Sequence, residues 1–164
     1  GRPKVYVDYA HKPDALESVL QSLHDLYRPE GPVHPGTRRR RRIITVFGCG
    51  GERDRFKRPL MGAIAVALSD RVIITSDNPR GEDPAQIAHE ILAGVPKTQA
   101  GVVEVELDRG AAIRKAVKQA APEDIVLVAG NGHEKTQITT LKIEHDDRVE
   151  VRKALDLPPS LLDT

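Results

Sequence analysis

Three short apolar runs constrain the fold of this chain most strongly: Ile43–Phe47, 71–75 and Ile125–Ala129. Each run is rich in β-branched residues and is continuous rather than alternating, which is typical of strands buried on both faces of a parallel sheet. Segments with helical spacing separate the runs, so strands and helices alternate along the chain. This order predicts an α/β, Rossmann-like fold with a mostly parallel sheet and helices on both faces.

The remaining elements follow from weaker patterns. A strand is predicted at 4–8, and the alternating run at 102–107 predicts a strand near a sheet edge. Asp108 is the predicted cap of the helix that follows this strand, and Asp146 is the predicted cap of the last helix. The other predicted elements are helices at 13–27, 58–68, 84–92 and 146–155 and a short strand or hairpin at 137–143.

Length and composition exclude several classes of protein. The 164 residues predict a single domain, and the start without Met predicts a fragment of a longer protein. A net charge of +1 and 3% aromatic residues argue against nucleic-acid binding. No apolar run is long enough for a membrane span, and the single Cys suits the cytoplasm. The arginine run at 38–42 is interpreted as a solvated loop rather than a polyanion site, because the chain as a whole is near-neutral.

Four polar loops follow strands of the predicted sheet, at 8–11, 48–53, 77–80 and 130–134. Because the carboxyl ends of parallel strands lie on one edge, we expect these loops to converge there. The D-N-P-R turn at 77–80 is stiffened by its proline. By itself this turn fits two interpretations, a plain strand-to-helix turn or a clamp for a ligand that carries an amine and a carboxylate.

The glycine-rich loop begins like a dinucleotide-binding fingerprint but departs from it, because Arg53 stands where the third glycine belongs. The chain also has no phosphate-loop motif, so the main cradle for an ATP triphosphate is not in this chain. Glycines at 48, 50 and 51 permit positive φ and a close ligand approach. Arg58, just before Pro59 at a predicted helix start, suits an anion, although a plain basic loop is the alternative.

No catalytic residue or metal ligand is assigned. His11 and His133 follow strands and have the chemistry of a general base, but no nucleophile stands in a recognisable motif. Cys49 is interpreted as a small residue in a tight turn. A zinc site made by these residues and Glu134 is disfavoured, because they share no ligand spacing.

Four segments together resemble the carboxy-terminal domain of the Mur ligases, in particular the branch that adds diaminopimelate. They are DYAHKPDALE at 8–17, FGCGGERDRFKRPLMG at 47–62, TSDNPRGEDP at 75–84 and VLVAGNGHEKTQ at 126–137. The resemblance extends over 5–157. It implies that residues 1–164 are one domain of a bacterial, cytoplasmic ligase, whose UDP-binding and central ATPase domains are absent.

The resemblance also implies an activity and its partners. The complete ligase would add meso-diaminopimelate to a UDP-MurNAc-dipeptide in peptidoglycan synthesis. ATP would phosphorylate the substrate carboxylate, and the amine of the amino acid would then attack the acyl phosphate. ATP and Mg²⁺ would be bound mainly by the central domain, so the isolated domain is expected to be inactive.

Residue roles are implied in the same way. Arg80 would pair with the distal carboxylate of meso-diaminopimelate, a group that lysine lacks, and Arg58 would take the other carboxylate. Asp77 and Asn78 would hold the polar ends of the ligand. The distal ammonium would be bound by the backbone carbonyl of Gly130 and by Glu134. The residues expected to face the ATP ribose and adenine are Asp8, Tyr9 and His11.

Two positions depart from the family pattern. Asn131 stands where lysine is usual, and Lys12 stands where threonine or asparagine is usual. Two alternatives therefore stay open: a ligase for another amino acid such as L-lysine, and a Mur-ligase-like binding module with impaired catalysis. The D-N-P-R turn argues against the first alternative, and Asn131 motivates the second.

Overall fold

The computed structural model describes residues 1–27, 41–130, 136–138, 142–144 and 147–157, with the side chains of 136–138 and 142–144 left aside. The strands are β1 (Lys4–Asp8), β2 (Ile43–Phe47), β3 (Arg71–Ile74), β4 (Val103–Val105), β5 (Ile125–Ala129), β6 (Thr136–Ile138) and β7 (Lys142–Glu144). The α-helices are α1 (Pro13–Tyr27), α2 (Lys57–Leu68), α3 (Pro84–Leu92), α4 (Arg109–Gln119) and α5 (Asp147–Ala154), and a 3-10 helix spans Lys97–Val102.

Five strands form one sheet in the order β1-β5-β2-β3-β4, and every neighbouring pair is parallel. This topology confirms the predicted α/β class. Strand β4 lies at an edge, as its alternating pattern predicts. The segment predicted as a strand or hairpin at 137–143 forms the antiparallel pair β6–β7, which is separate from the main sheet.

The helices divide between the two faces of the sheet. Helices α1, α2 and α3 supply the core on one face, with Leu20 and Ile91 fully buried there. Helices α4 and α5 cover the other face, where Ile113 packs against alternate residues of the same strands. After β4 the chain turns back across the sheet, and β5 lies between β1 and β2. Because parallel crossovers are right-handed, this change of direction places the connecting helix α4 on the face opposite helices α1, α2 and α3.

Differences from the predicted boundaries are small and have local causes. The strand predicted at 102–107 is only three residues long: the 3-10 helix includes Val102, and residues 106 and 107 lie beyond the end of β4. Helix α2 begins at Lys57, one residue before the predicted start. Asp108 caps α4 as predicted and accepts a hydrogen bond from the amide of Ala111 at 2.8 Å. The predicted cap Asp146 lies outside the described residues. No helix within the described ranges is long and apolar enough to cross a membrane.

Candidate functional site

A cleft of about 730 Å³ opens at the carboxyl-terminal edge of the sheet. All four predicted polar loops contribute to it, which confirms their convergence for the part of the chain that the structure describes. Its lining includes Tyr9 and His11 after β1, Gly50 and Arg53 after β2, Asp77, Asn78 and Arg80 after β3, and Gly130 after β5.

The turn at 77–80 is a strained structure rather than a plain connection. Asp77 and Asn78 are both buried. Asn78 has φ 42° and Arg80 has φ 52°, so both adopt the left-handed region. Asparagine tolerates this region, but for arginine it costs about 1–2 kcal/mol. Strain of this kind concentrates at functional sites, where the surrounding structure enforces it.

The side chain of Arg80 is held by one of its nitrogens. Nη1 donates to the carbonyl of Gly51 at 2.8 Å and to the carbonyl of Asn78 at 3.2 Å. Among the described residues, no carboxylate pairs with Arg80, and its Nε and Nη2 groups donate to none of them. The side chain lines the cleft. This arrangement leaves one edge of a fixed guanidinium for an anionic ligand.

The glycine-rich loop packs directly against this turn. The amide of Gly51 donates to the carbonyl of Asn78 at 3.0 Å. A Cβ at Gly51 would lie 1.8 Å from the carbonyl oxygen of Pro79, and a Cβ at Gly48 would lie 2.1 Å from that of Thr75. Neither these glycines nor Gly50 has a positive φ, contrary to the sequence-based expectation. Gly51 instead permits the close approach of the turn at 77–80, and Gly48 permits that of Thr75 and Ser76 just before it.

Arg58 is not at the cleft, and the expectation that it binds a ligand carboxylate is wrong in this structure. Its side chain is fully buried. Nη1 pairs with Glu82 at 2.9 Å and with Glu90 at 2.6 Å, and Nη2 donates to the carbonyl of Gly50 at 3.0 Å. Two carboxylates of the protein thus occupy the guanidinium. The hydrogen bond from Arg58 is the first cause that lowers the pKa of Glu82, to about 2.

Arg53 is the cleft arginine that sequence reasoning missed. It is exposed, lines the cleft and lies beside Gly50, whose added Cβ would be 3.5 Å from Arg53 Cγ. A signal for it exists in the sequence, because Arg53 belongs to the polar loop itself. Arg58 lies in the first turn of a helix, where a long side chain packs back onto its neighbours.

Asp77 and Gly130 meet at one end of the cleft. Gly130 has φ 108°, and a Cβ there would lie 2.5 Å from Asp77 Oδ2. The amide of Gly130 donates to the carbonyl of Asp8 at 3.1 Å. The last polar loop thus begins against the loops that follow β1 and β3. Its other predicted residues, Asn131, His133 and Glu134, lie outside the described residues.

Two of the three residues expected to face the nucleotide line the cleft. The Tyr9 ring is 42% exposed, and its centroid lies 4.9 Å from that of the His11 ring. The ammonium of Lys57 donates to the carbonyl of His11 at 3.0 Å, which joins this loop to α2. Asp8 does not line the cleft, and its Oδ1 accepts the amide of Ala10 at 2.8 Å.

Cys49 is buried, with its Sγ 3.6 Å from Met61 Sδ. Burial is the main cause that raises the pKa of its thiol to about 12, so it is a packing residue rather than a thiolate. Within the described ranges, no group of three or more His, Cys, Asp or Glu residues is arranged to hold a metal ion.

A parallel sheet whose polar loops form one cleft at its carboxyl-terminal edge defines an α/β ligand-binding domain. Residues 1–132 match the family described as Mur ligase, glutamate ligase domain. Because this match covers most of the chain, the chain belongs to the Mur ligase family.

Relatives with a named activity match a larger share of the chain than the family model does. A protein of Synechococcus elongatus named UDP-N-acetylmuramoyl-L-alanyl-D-glutamate--2,6-diaminopimelate ligase is 54% identical over 154 residues, which are 93% of this chain and 28% of that protein. A solved structure of a ligase with the same name has a TM-score of 0.78 and 42% identity, over 93% of this chain and 29% of that one. The chain thus spans less than a third of the length of these relatives.

A more distant enzyme has a similar fold. The crystal structure of a bifunctional folylpolyglutamate synthase/dihydrofolate synthase from Yersinia pestis has a TM-score of 0.52 at 20% identity, over 77% of this chain and 25% of that one. At this identity the likeness concerns the fold alone.

Proposed function

We propose that this chain is the amino-acid-binding domain of an ATP-dependent ligase that adds meso-diaminopimelate to UDP-MurNAc-L-Ala-D-Glu in peptidoglycan synthesis. The names of the relatives that cover 93% of the chain support this proposal. The chain has under a third of their length, so the complete reaction requires the rest of the ligase. The isolated chain is therefore expected to bind the amino acid without ligating it.

The geometry of Arg80 carries the proposal. Two backbone carbonyls hold Nη1, while the rest of the guanidinium edge bonds to no described residue. A guanidinium matches a carboxylate with two parallel hydrogen bonds, and an ammonium offers no such match. An amino acid with a second carboxylate would satisfy this edge. Lysine, which ends in an ammonium, would leave Arg80 unpaired and would place two cations together.

The other cleft residues complement the remaining groups of meso-diaminopimelate, which carries an amine and a carboxylate at each end. Arg53 is the second arginine that lines the cleft, and in the proposal it pairs with the other carboxylate. Asp77 is a buried carboxylate beside Gly130, so this pair offers oxygen acceptors to an ammonium. Asn78 adds an amide that donates and accepts. Glu134 completes this set in the proposal and lies outside the described residues.

The described residues fit part of an ATP site. The exposed Tyr9 ring offers a face on which a nucleobase can stack. No metal-binding cluster lies in the described ranges, and the chain has no phosphate-loop motif, so the triphosphate and Mg²⁺ would be held by the rest of the ligase. ATP held by the complete ligase would supply the phosphoryl group that activates the carboxylate of UDP-MurNAc-L-Ala-D-Glu. This chain would hold the amino acid and orient its amine toward that carboxylate.

Product analysis of the full-length ligase tests the function. The enzyme would receive ATP, Mg²⁺, UDP-MurNAc-L-Ala-D-Glu and an equimolar mixture of meso-diaminopimelate and L-lysine, and the products would be identified by mass. We expect the diaminopimelate adduct to dominate. A dominant lysine adduct would favour the alternative substrate, and no adduct would favour a binding module without catalysis.

A further inference from the structure

We propose that Arg109, which lies outside the cleft, is a positioning residue that holds two of the cleft loops in register. It is the first residue of α4 and is 2% exposed. The side chain lies behind the cleft rather than in its lining. The proposal rests on the function proposed above in one respect, because its kinetic test uses meso-diaminopimelate as the ligand.

The guanidinium of Arg109 joins two loops that face the ligand. Nη1 donates to the carbonyl of Ser76 at 3.0 Å, and Nη2 donates to the carbonyl of Ala129 at 3.0 Å. Ser76 directly precedes Asp77, and Ala129 directly precedes Gly130. Arg109 therefore binds the backbone immediately before each member of the pair that meets at one end of the cleft.

These two backbone positions have no direct link through the sheet. Strand β2 lies between β3 and β5. With neighbouring strands about 4.8 Å apart, the two outer strands are separated by roughly 10 Å. Sheet hydrogen bonds therefore link the two loops only indirectly, through β2. The planar fork of Arg109 supplies a direct link with one rigid group.

Asp147 holds the fork in its orientation. Its carboxylate accepts from Nε at 2.7 Å and from Nη2 at 2.7 Å, and it is itself fully buried. Asp147 is the first residue of α5, so the same guanidinium also anchors the start of this helix. A bidentate pair of this kind fixes direction as well as distance. Lysine at position 109 would keep the charge but would lose this geometry.

A second arginine on the same helix provides a matched control. Arg114 also connects α4 to α5, through Glu150 at 3.4 Å, but its side chain is 55% exposed and it bonds to neither cleft loop. Arg114→Lys therefore repeats the chemical change of Arg109→Lys without altering the loops. An effect that arises only from a weaker connection between α4 and α5 should therefore occur in both Arg109→Lys and Arg114→Lys.

The first measurement is steady-state kinetics of the full-length ligase with each variant. We expect Arg109→Lys to raise the KM for meso-diaminopimelate about 10- to 100-fold, because displaced cleft loops would lose charge-assisted hydrogen bonds to the ligand. The KM for ATP should change less than about twofold, as should both constants in Arg114→Lys. A lower kcat with an unchanged KM for meso-diaminopimelate would indicate a structural role only and would overturn the proposal.

The second measurement is amide hydrogen exchange in the same full-length proteins. Peptides that contain residues 76–80 and 128–130 should exchange faster in Arg109→Lys than in Arg114→Lys, while peptides from α1 should not change. This result would support the positioning role even if the wild-type ligase took another amino acid, an outcome that removes only the proposed substrate. Equal exchange in the two variants would overturn the proposal.

If Arg109→Lys does not fold, Asp147→Asn replaces it. This variant keeps the shape of the partner and removes its charge, so the fork loses its orientation. It should raise the KM for meso-diaminopimelate about 3- to 10-fold and speed exchange in the same two peptides. Wild-type values for both would overturn the proposal.

Discussion

The carboxylate of Asp77 lies directly over the α-carbon of Gly130. A Cβ at position 130 would come within 2.5 Å of Asp77 Oδ2, and the φ of 108° there disfavours any side chain. Position 130 therefore requires glycine for two reasons, backbone conformation and the closeness of the carboxylate. Together with the hydrogen bonds of Arg109, this close contact joins the loops that follow β3 and β5, on opposite sides of β2.

Gly130→Ala tests this contact. The substitution should lower the free energy of unfolding by about 1–3 kcal/mol through backbone strain and should raise the KM for the amino acid by displacing Asp77. Chemical denaturation and steady-state kinetics measure the two effects. Gly101→Ala is the matched control, because a Cβ at Gly101 meets nothing within 4 Å. Equal stability of the two variants would contradict the described contact.

Variants of Arg53 and Arg58 should separate ligand binding from stability. Arg53→Ala removes an exposed cleft residue, so it should leave the melting temperature nearly unchanged and raise the KM for meso-diaminopimelate about 10-fold or more. Arg58→Ala removes the fully buried partner of Glu82 and Glu90, so it should lower the free energy of unfolding by about 3–5 kcal/mol.

Thermal unfolding and kinetics of both variants decide between the roles. If Arg58→Ala instead raised the KM without loss of stability, Arg58 would bind the ligand carboxylate, which would contradict its role as a buried partner of Glu82 and Glu90.

Stability should fall in acid as Glu82 is protonated. The pKa of this carboxyl is lowered to about 2, mainly by its hydrogen bond from Arg58, against an ordinary value of 4.5. A depressed folded-state pKa stabilises the fold above pH 4.5, and this stabilisation is lost as the pH falls from about 4.5 to about 2. Because the Glu82 side chain is partly exposed, solvent screening limits this stabilisation to about 1 kcal/mol.

Urea unfolding of the chain at several pH values measures this effect. Glu82→Gln should be less stable than wild type at pH 7 and should show a flatter pH dependence below pH 4.5. Glu123→Gln is a suitable control, because Glu123 forms no ion pair within the described residues. Parallel pH profiles for wild type and Glu82→Gln would contradict the assignment of the low pKa to the Arg58 contact.

Most of the fold was predictable from local patterns. Strands β2 and β5 are continuous apolar runs, and their bounds match the prediction because hydrophobic periodicity and flanking polar residues mark both ends. The insertion of β5 between β1 and β2 was not predicted, since strand order depends on packing between distant segments. The 3-10 helix before β4 carries no comparable pattern.

The candidate site was predictable as a set of loops and less so as individual contacts. The parallel sheet alone places the four loops on one edge. The burial of Arg58 depends on carboxylates 24 and 32 residues away, which no local pattern connects to it. Likewise, Gly48 and Gly51 resemble ligand-binding glycines, whereas their space is taken by the backbone of residues 75–76 and of Pro79.

The central claim is that Arg80 selects an amino acid with a second carboxylate. The most direct test is the ratio of kcat/KM for meso-diaminopimelate to that for L-lysine, measured for the full-length ligase, for Arg80→Lys and for Arg114→Lys. Because Arg80→Lys keeps the charge but loses the bidentate match to a carboxylate, this ratio should fall about 10- to 100-fold in Arg80→Lys only. A ratio in Arg80→Lys equal to that of wild type would contradict the claim.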